Sequence, residues 1–213
     1  MDIFKFNSRI IINGASFSGK TRLCKDLLKK YIDKIDKIII ADSPNNHEIR
    51  DETILNKKVE VFDYIPSISE IGMNYTGHIV VVLDDNYTRS FNNEAVLSYF
   101  VHGRHKNISV FLLCQNLFFS RGKYARDISL NATHFILLKL RDLNQIQILA
   151  NQIFGKGESS KILDVYKLIQ KRYEWSHLLI DVSSTSTEDI QLRSNIAASN
   201  ENNDFERCYK VSS

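Results

Sequence analysis

The sequence predicts an α/β fold, a mainly parallel sheet flanked by helices, and three observations carry that prediction. Short apolar runs without alternation recur along the chain, as strands covered on both faces require. Segments with apolar residues at helical spacing separate them. The first run, Arg9-Ile10-Ile11-Ile12, leads into Gly14-Ala15-Ser16-Phe17-Ser18-Gly19-Lys20-Thr21, which matches G-x-x-x-x-G-K-[ST] at every fixed position. A chain of 213 residues, 43% hydrophobic and 25% charged, suits one globular domain with an appendage. The reading places a P-loop domain over 1–182 and a tail or arm over 183–213, rich in Ser, Asn and acids, with a disordered end.

In chain order, residues about 8–12 form the first buried strand. Leu23, Leu27, Leu28 and Tyr31 then make one helical face over about 21–31. Lys37 to Ala41 is a second buried strand, closed by the loop signal Asp42-Ser43-Pro44-Asn45-Asn46. Val59 to Tyr64 alternates and suits a short edge strand, and Pro66 to Gly72 suits a short helix with Pro near its first turn. His78-Ile79-Val80-Val81-Val82-Leu83 runs into Asp84-Asp85, the pattern of a central parallel strand with acids at its carboxyl end. Asn92 to His102 reads as a helix, Ile108 to Cys114 as a strand ending in Gln115-Asn116, and Thr133 to Leu140 as a fifth strand. Arg141 to Phe154 carries Leu143, Ile146, Leu149, Ala150 and Ile153 on one face and is stopped by Gly155 and Gly157. A helix over about Ser160 to Lys171 and a strand from His177 to Val182 complete the domain.

The octamer has a direct chemical reading. Gly14 and Gly19 let the backbone turn tightly enough to aim successive N–H groups inward, making an anion-sized nest. A helix opening at Lys20 adds its positive end; Lys20 reaches the β- and γ-phosphates and the Thr21 hydroxyl can ligate Mg²⁺. Gly14, Ala15, Ser16, Phe17, Ser18, Gly19, Lys20 and Thr21 are therefore assigned to a nucleoside triphosphate, with ATP and Mg²⁺ as the implied cofactors.

Phosphoryl transfer to water needs a metal ligand and a group that orients the attacking water. Asp84, directly after the apolar run, is the candidate for magnesium. Asp85 stands where many ATPases place a water-polarising glutamate and is the candidate base. Gln115 is positioned to sense the γ-phosphate if its strand lies between the P-loop strand and the Asp84 strand. A solvated strand-end amide is its other reading.

Composition narrows the partners. A net charge of +3 is too mild to indicate a nucleic acid by bulk electrostatics, so any such partner must meet local basic clusters. The three cysteines, Cys24, Cys114 and Cys208, are odd in number and far apart. That argues against a disulfide framework or a zinc site and for a reducing compartment. The segment Met1-Asp2-Ile3-Phe4-Lys5 has no secretory pattern, and no apolar run approaches the ~18 residues of a membrane span.

With these residues in view, the chain resembles the genome-packaging ATPases of polinton/adintovirus-like elements and related large DNA viruses. These group with the poxvirus-type packaging ATPases of the FtsK–HerA superfamily. The resemblance runs from about residue 8 to 196. It rests on Gly14–Thr21, on Val80 to Asp85, and on Gly103-Arg104-His105-Lys106-Asn107-Ile108 running to Gln115-Asn116. It continues through Arg126-Asp127-Ile128-Ser129-Leu130-Asn131-Ala132-Thr133-His134, Lys139-Leu140-Arg141-Asp142 with Gln145-Ile146, Leu178 to Asp181, and Leu192 to Ile196. The Walker pieces are generic, whereas the Gly-Arg-His and Arg-x-Ile-Ser-Leu-Asn blocks are distinctive.

The resemblance implies a RecA-like (ASCE) core and ATP at a subunit boundary in a homo-oligomeric ring, hexamer or pentamer, around double-stranded DNA. It also implies a sensor role for Gln115, capsid proteins at the packaging vertex as partners, and action in the infected cell and the virion. Other branches carry Asp-Glu where this chain has Asp84-Asp85, so the role of Asp85 is an extrapolation.

A ring ATPase fires when a neighbour supplies an arginine to the transition-state charge. Arg126 is the leading candidate, because it follows the sensor strand in a distinctive block; Arg121, Arg104 and Arg141 follow. Each can also be read as a surface cation. Arg121, Lys123 and Arg126 near Phe118, Phe119 and Tyr124, with Arg104, His105 and Lys106 as a second cluster, could grip phosphates without reading sequence.

The leading expectation is therefore a Mg-dependent ATP hydrolase that pumps double-stranded viral DNA into a preformed capsid. A P-loop small-molecule or nucleoside kinase is one alternative, and a nucleotide-gated capsid-assembly protein another. DNA-stimulated turnover, phosphate transfer to a nucleoside, or binding without turnover would separate the three.

Overall fold

The structure, a computed structural model, describes residues 7–41, 58–84, 87–118, 121–155, 157, 159–171, 175–187, 191–197 and 206–210. The expected loop over 42–46, the candidate base Asp85 and the aromatic Phe119 lie outside the described residues.

The elements follow in the order β1 (Arg9–Asn13), α1 (Lys20–Lys30), β2 (Lys37–Ala41), β3 (Val59–Phe62), α2 (Ile68–Asn74), β4 (Ile79–Leu83), α3 (Tyr87–Ser90) and α4 (Glu94–His102). Then come β5 (Ile108–Cys114), α5 (Ala125–Asn131), β6 (His134–Leu137), α6 (Asn144–Phe154), α7 (Ser159–Gln170), β7 (Leu178–Asp181), β8 (Leu192–Ser194) and β9 (Arg207–Tyr209). One sheet carries all the described strands, in the order β3-β2-β4-β5-β1-β6-β7-β8-β9. From β3 to β6 every pairing is parallel, and from β6 to β9 every pairing is antiparallel. The edge position expected for the Val59 strand is the one β3 occupies.

The unbroken apolar runs are explained by two cores, one on each face of the sheet. Ile10, Ile12, Val80, Val82, Phe111 and Leu113 point toward α1, where Leu23, Cys24, Leu27, Leu28 and Tyr31 meet them. Ile11, Val81, Leu83, Val110 and Leu112 point the other way, into the layer formed by Tyr99, Phe100, Ile128, Ile146, Leu149, Ile162 and Tyr166. Successive strand residues face opposite sides, so a strand covered twice must be apolar at every position.

Helix ends follow local chemistry. Ser67 caps α2 in a capping box with Glu70, which starts the helix at Ile68 and leaves Pro66 outside the first turn. Asn93 caps α4 through the Ala95 amide, delaying the expected start at Asn92 to Glu94. Gly155, at φ 85°, ends α6 in a conformation that L side chains avoid. The predicted strand over 133–140 is shorter, ending at Leu137. Beyond it the chain still runs beside β1, with the Leu138 N–H donating to Asn13 O and the Ala15 N–H to Lys139 O.

The region after residue 183 contributes β8 and β9 to the sheet. Arg193, 1% exposed, fastens them by pairing with Asp181 at 3.0 Å and with Glu206 at 3.2 Å. No helix among the described residues is long and apolar enough to cross a membrane.

Candidate nucleotide site

The carboxyl ends of β1, β5 and β4 converge on one edge of the sheet, and the loops that leave them carry the candidate residues. Two bonds hold the start of the Gly14–Thr21 loop: the Gly14 N–H donates to Cys114 O at 3.1 Å and the Ala15 N–H to Lys139 O at 2.9 Å. The loop therefore hangs between the strands on either side of β1. A Cβ on Gly14 would lie 2.3 Å from Ser18 Oγ and 3.0 Å from Leu138 Cβ, so only glycine fits there. Gly19 is the N-cap of α1, with φ 91° and no side-chain cap, and the first turn of α1 holds no acidic residue. A helix start of that kind leaves its N–H groups and its positive dipole end to an anion.

Two further features of the cradle fit a phosphate group. Ser18 Oγ is buried with no hydrogen-bond partner. The Lys20 ammonium, with its side chain buried, donates to Gly14 O and Ala15 O, both at 3.0 Å, so it is held inside the loop. Phe17, at the tip, has φ 60° and is 98% exposed.

Across the cradle, Thr21 Oγ1 donates to Asp84 Oδ2 at 3.0 Å. Asp84 is buried at the end of β4. The two residues nominated for magnesium, 63 positions apart in the chain, therefore meet directly. A hydroxyl and a carboxylate are hard oxygen donors, the set that magnesium takes together with phosphate oxygens. The nearby thiols are not reactive centres. Burial, with the Asp84 charge second, raises the Cys24 thiol well above its usual value, and burial pushes Cys114 up to about 12. Both stay protonated at neutral pH, unlike an activated cysteine.

β5 lies between β1 and β4, the strand order on which the expectation for Gln115 depends. Gln115 follows β5 directly and is half-buried. The loop behind it is braced by Gln145, a residue to which sequence motifs assign no chemistry. Gln145 Oε1 accepts from Asn13 Nδ2 at 3.2 Å and from the Leu117 N–H at 3.1 Å. Asn13 Oδ1 in turn faces Cys114 Sγ at 3.7 Å. One buried amide on α6 thus joins the strand that launches the phosphate cradle to the loop that carries Gln115. Its signal in the sequence is a polar residue flanked by the apolar stripe of α6.

The arginines occupy other places. Arg126 is exposed in the first turn of α5. The loop before it is anchored to the segment downstream of Asp84: the Tyr124 N–H donates to Phe91 O and the Lys123 N–H to Asn92 Oδ1, both at 2.9 Å. Arg121 and Arg141 are also exposed. Lys123 lies 4.7 Å from the centroid of the Tyr124 ring, and Arg104 and His105 contact each other on the surface.

A P-loop on one strand, a metal-competent acid two strands away and a polar strand end between them define a P-loop nucleoside-triphosphate-binding protein of the additional-strand, RecA-like class. The chain belongs to the family described as Poxvirus A32 protein, whose model matches residues 2–206. Comparison with curated proteins finds no match.

Among solved structures, the chain is similar to the genome packaging NTPase B204 from Sulfolobus turreted icosahedral virus 2. In its complex with AMPPCP the identity is 17%, the TM-score 0.58, and the match covers 88% of this chain and 96% of that one. In the complex with ATP-gammaS the figures are 18%, 0.58, 89% and 98%. It is likewise similar to B204, the DNA-packaging ATPase from Sulfolobus Turreted Icosahedral Virus, at 18% identity and TM-score 0.58, covering 90% and 98%. At these identities the likeness is one of fold.

Proposed function

We propose that this chain is a Mg²⁺-dependent ATP hydrolase that drives double-stranded viral DNA into a preformed capsid as a homo-oligomeric ring. The observation that carries the reading is the contact between Thr21 and Asp84 beside the glycine cradle, in a chain that belongs to the A32 family. Thr21 and Asp84 would hold magnesium, which would offset the negative charge of the phosphates. Lys20 supplies a cation at the same phosphates, and the N–H groups of Gly19, Lys20 and Thr21 at the start of α1 hold the chain of phosphates in line. Asp85 orients the attacking water. Gln115 reads whether the γ-phosphate is in place, and Arg126 of a neighbouring copy completes the transition-state charge.

DNA is gripped through phosphates by Arg104, His105 and Lys106 and by Arg121 and Lys123, without sequence readout. Capsid proteins at the packaging vertex dock the motor, and the protein works in the infected cell where virions assemble. The nucleoside-kinase and assembly-protein alternatives draw no support from the family or from the packaging NTPases of similar fold.

The test is phosphate release from Mg·ATP with and without linear duplex DNA, with the oligomeric mass measured in parallel. Multiple turnover that duplex DNA accelerates, in an assembly larger than a monomer, is the expected result. Transfer of phosphate to a nucleoside, or a single turnover indifferent to DNA, would sink it.

A further inference from the structure

The sheet order gives the bound triphosphate a direction. Asp84 stands two strands to one side of β1, beyond β5. Two strands to the other side, beyond β6, stands β7, and because β7 is antiparallel its first residue pairs with the last residue of β6, Leu178 with Leu137. The segment entering β7 therefore lies at the same edge of the sheet as the phosphate cradle. That segment carries Trp175, the chain's single tryptophan. Its indole packs on the cradle itself: a Cβ on Gly19 would fall 2.8 Å from the ring's Cε3 and 3.2 Å from Cζ3. The Arg22 guanidinium, one residue past Thr21, lies 5.7 Å from the ring centroid. Trp175 is nevertheless 47% exposed.

From this placement we infer that Trp175, steadied by Arg22, is the wall on which the nucleobase of the triphosphate stacks. The inference rests on the nucleotide reading of the cradle. With the γ end of the triphosphate drawn toward Asp84 and Gln115, the nucleoside leaves on the opposite side, where Trp175 is a large flat apolar group among the described residues. An indole has the area and π-face for a purine, and stacking holds a base without requiring hydrogen bonds to its edge. Arg22 keeps the ring upright by a cation–π contact and puts a positive charge beside the α-phosphate. Trp175 is thus a binding residue, and the hydrolysis itself does not pass through it.

The experiment uses the full chain, its own tryptophan fluorescence, and two ligands: Mg·ATP, and Mg·tripolyphosphate, which has the phosphates but no base. Affinities are measured by calorimetry for the wild type, Trp175→Ala and Trp175→Phe. In the wild type, ATP changes the tryptophan emission and tripolyphosphate binds without doing so. Trp175→Ala weakens ATP roughly tenfold or more, the scale of losing one base–aromatic stack, and leaves tripolyphosphate affinity unchanged. Trp175→Phe retains most of the ATP affinity. Equal weakening of both ligands in Trp175→Ala would mean that the ring merely supports Gly19, and unchanged ATP affinity would mean that no base touches it; either overturns the inference while leaving the nucleotide reading intact. Failure of the wild type to bind either ligand overturns both.

Discussion

Thr21 and Asp84 form the shortest statement of the site, because residues 63 positions apart in the chain meet there in one hydrogen bond. Both sit at the end of a buried element, and their 3.0 Å contact places two hard oxygen donors beside the cradle. Asp84→Asn keeps the shape and the contact to Thr21 but removes the charge. Hydrolysis should fall roughly 100-fold or more, the scale of losing one preorganised electrostatic group at the reacting centre. Nucleotide binding should survive, since the N–H groups and Lys20 remain. A variant with near-native turnover would remove Asp84 from the metal site. Gln145 makes a different prediction. Gln145→Leu leaves the Asn13 amide and the Leu117 N–H buried without their acceptor, which costs about 1–3 kcal/mol of stability by urea denaturation. Turnover should fall while KM stays nearly constant, because the change loosens the loop of Gln115 and leaves the phosphate cradle whole. A stability loss with unchanged turnover would make Gln145 a purely structural brace. The cradle is readable from the chain because glycine, lysine and threonine at fixed spacing have a single chemistry. Gln145 and Trp175 are not, because an amide or an indole acquires its role only from what the fold sets beside it.

Elements repeat that contrast. The strands β1, β2 and β4 to β7 are legible because burial on both faces demands unbroken apolar runs, the edge strand β3 because it alternates, and α1 and α6 because one-sided burial demands a stripe. β8 and β9, three residues each, are too short to show any period, and the part of the sheet they extend is held by charge. Arg193 is almost fully buried between Asp181 and Glu206, with Ser183 Oγ donating to Asp181 Oδ1 at 2.6 Å. Arg193→Ala removes the charge paired with Asp181 and leaves that carboxylate buried with Ser183 and His134 alone, and removing one partner of a buried pair costs about 3–5 kcal/mol. A urea midpoint within error of the wild type would show that the network contributes nothing to holding the edge. Two histidines in the same part of the sheet set a pH dependence. Burial, opposed by Asp181 and reinforced by Arg193 and Arg9, lowers His134 to about 4, and burial lowers His177 to about 4. His177 Nε2 also accepts from the Ile196 N–H at 3.1 Å, which requires the neutral ring. Both folded values lie below the ordinary 6.5, so the unfolded chain binds more protons as pH falls. Their contribution is complete above about pH 6.5 and is lost as pH drops toward 4. The urea midpoint should therefore decline between about pH 7 and pH 5, and His177→Gln should flatten that decline. A midpoint independent of pH over this interval would contradict the buried neutral state of both rings.

At the scale of the whole molecule, the cradle is finished on three sides by this chain's own elements. β5 and β4 lie to one side, β6 and the Trp175 segment to the other, and α1 beneath. The mouth of the loop carries Phe17, 98% exposed, a large apolar side chain set in water at the tip of a binding loop. A neighbouring copy that covered this mouth would bury Phe17 and bring its own cations to the γ end of the triphosphate. Arg126 is suited to supplying that charge, since it is exposed, it starts a helix, and the loop before it is tied by the Tyr124 and Lys123 amides to the segment downstream of Asp84. An arginine on a braced platform can deliver charge to a partner without reorganising, which is what makes such groups worth ~10³ to 10⁵ in rate where they have been measured. The decisive measurement mixes two inactive variants. Arg126→Ala keeps its cradle and Asp84 but offers no arginine; Asp84→Asn offers the arginine but cannot hold the metal. If Arg126 acts across the boundary, the mixture regains DNA-stimulated phosphate release, because some boundaries pair an intact Asp84 with an intact Arg126. If it acts within its own chain, every copy in the mixture lacks one essential group and no activity returns. An Arg126→Ala protein as active as the wild type would show that the charge comes from elsewhere, and the same mixing with Arg121→Ala or Arg104→Ala would then find it.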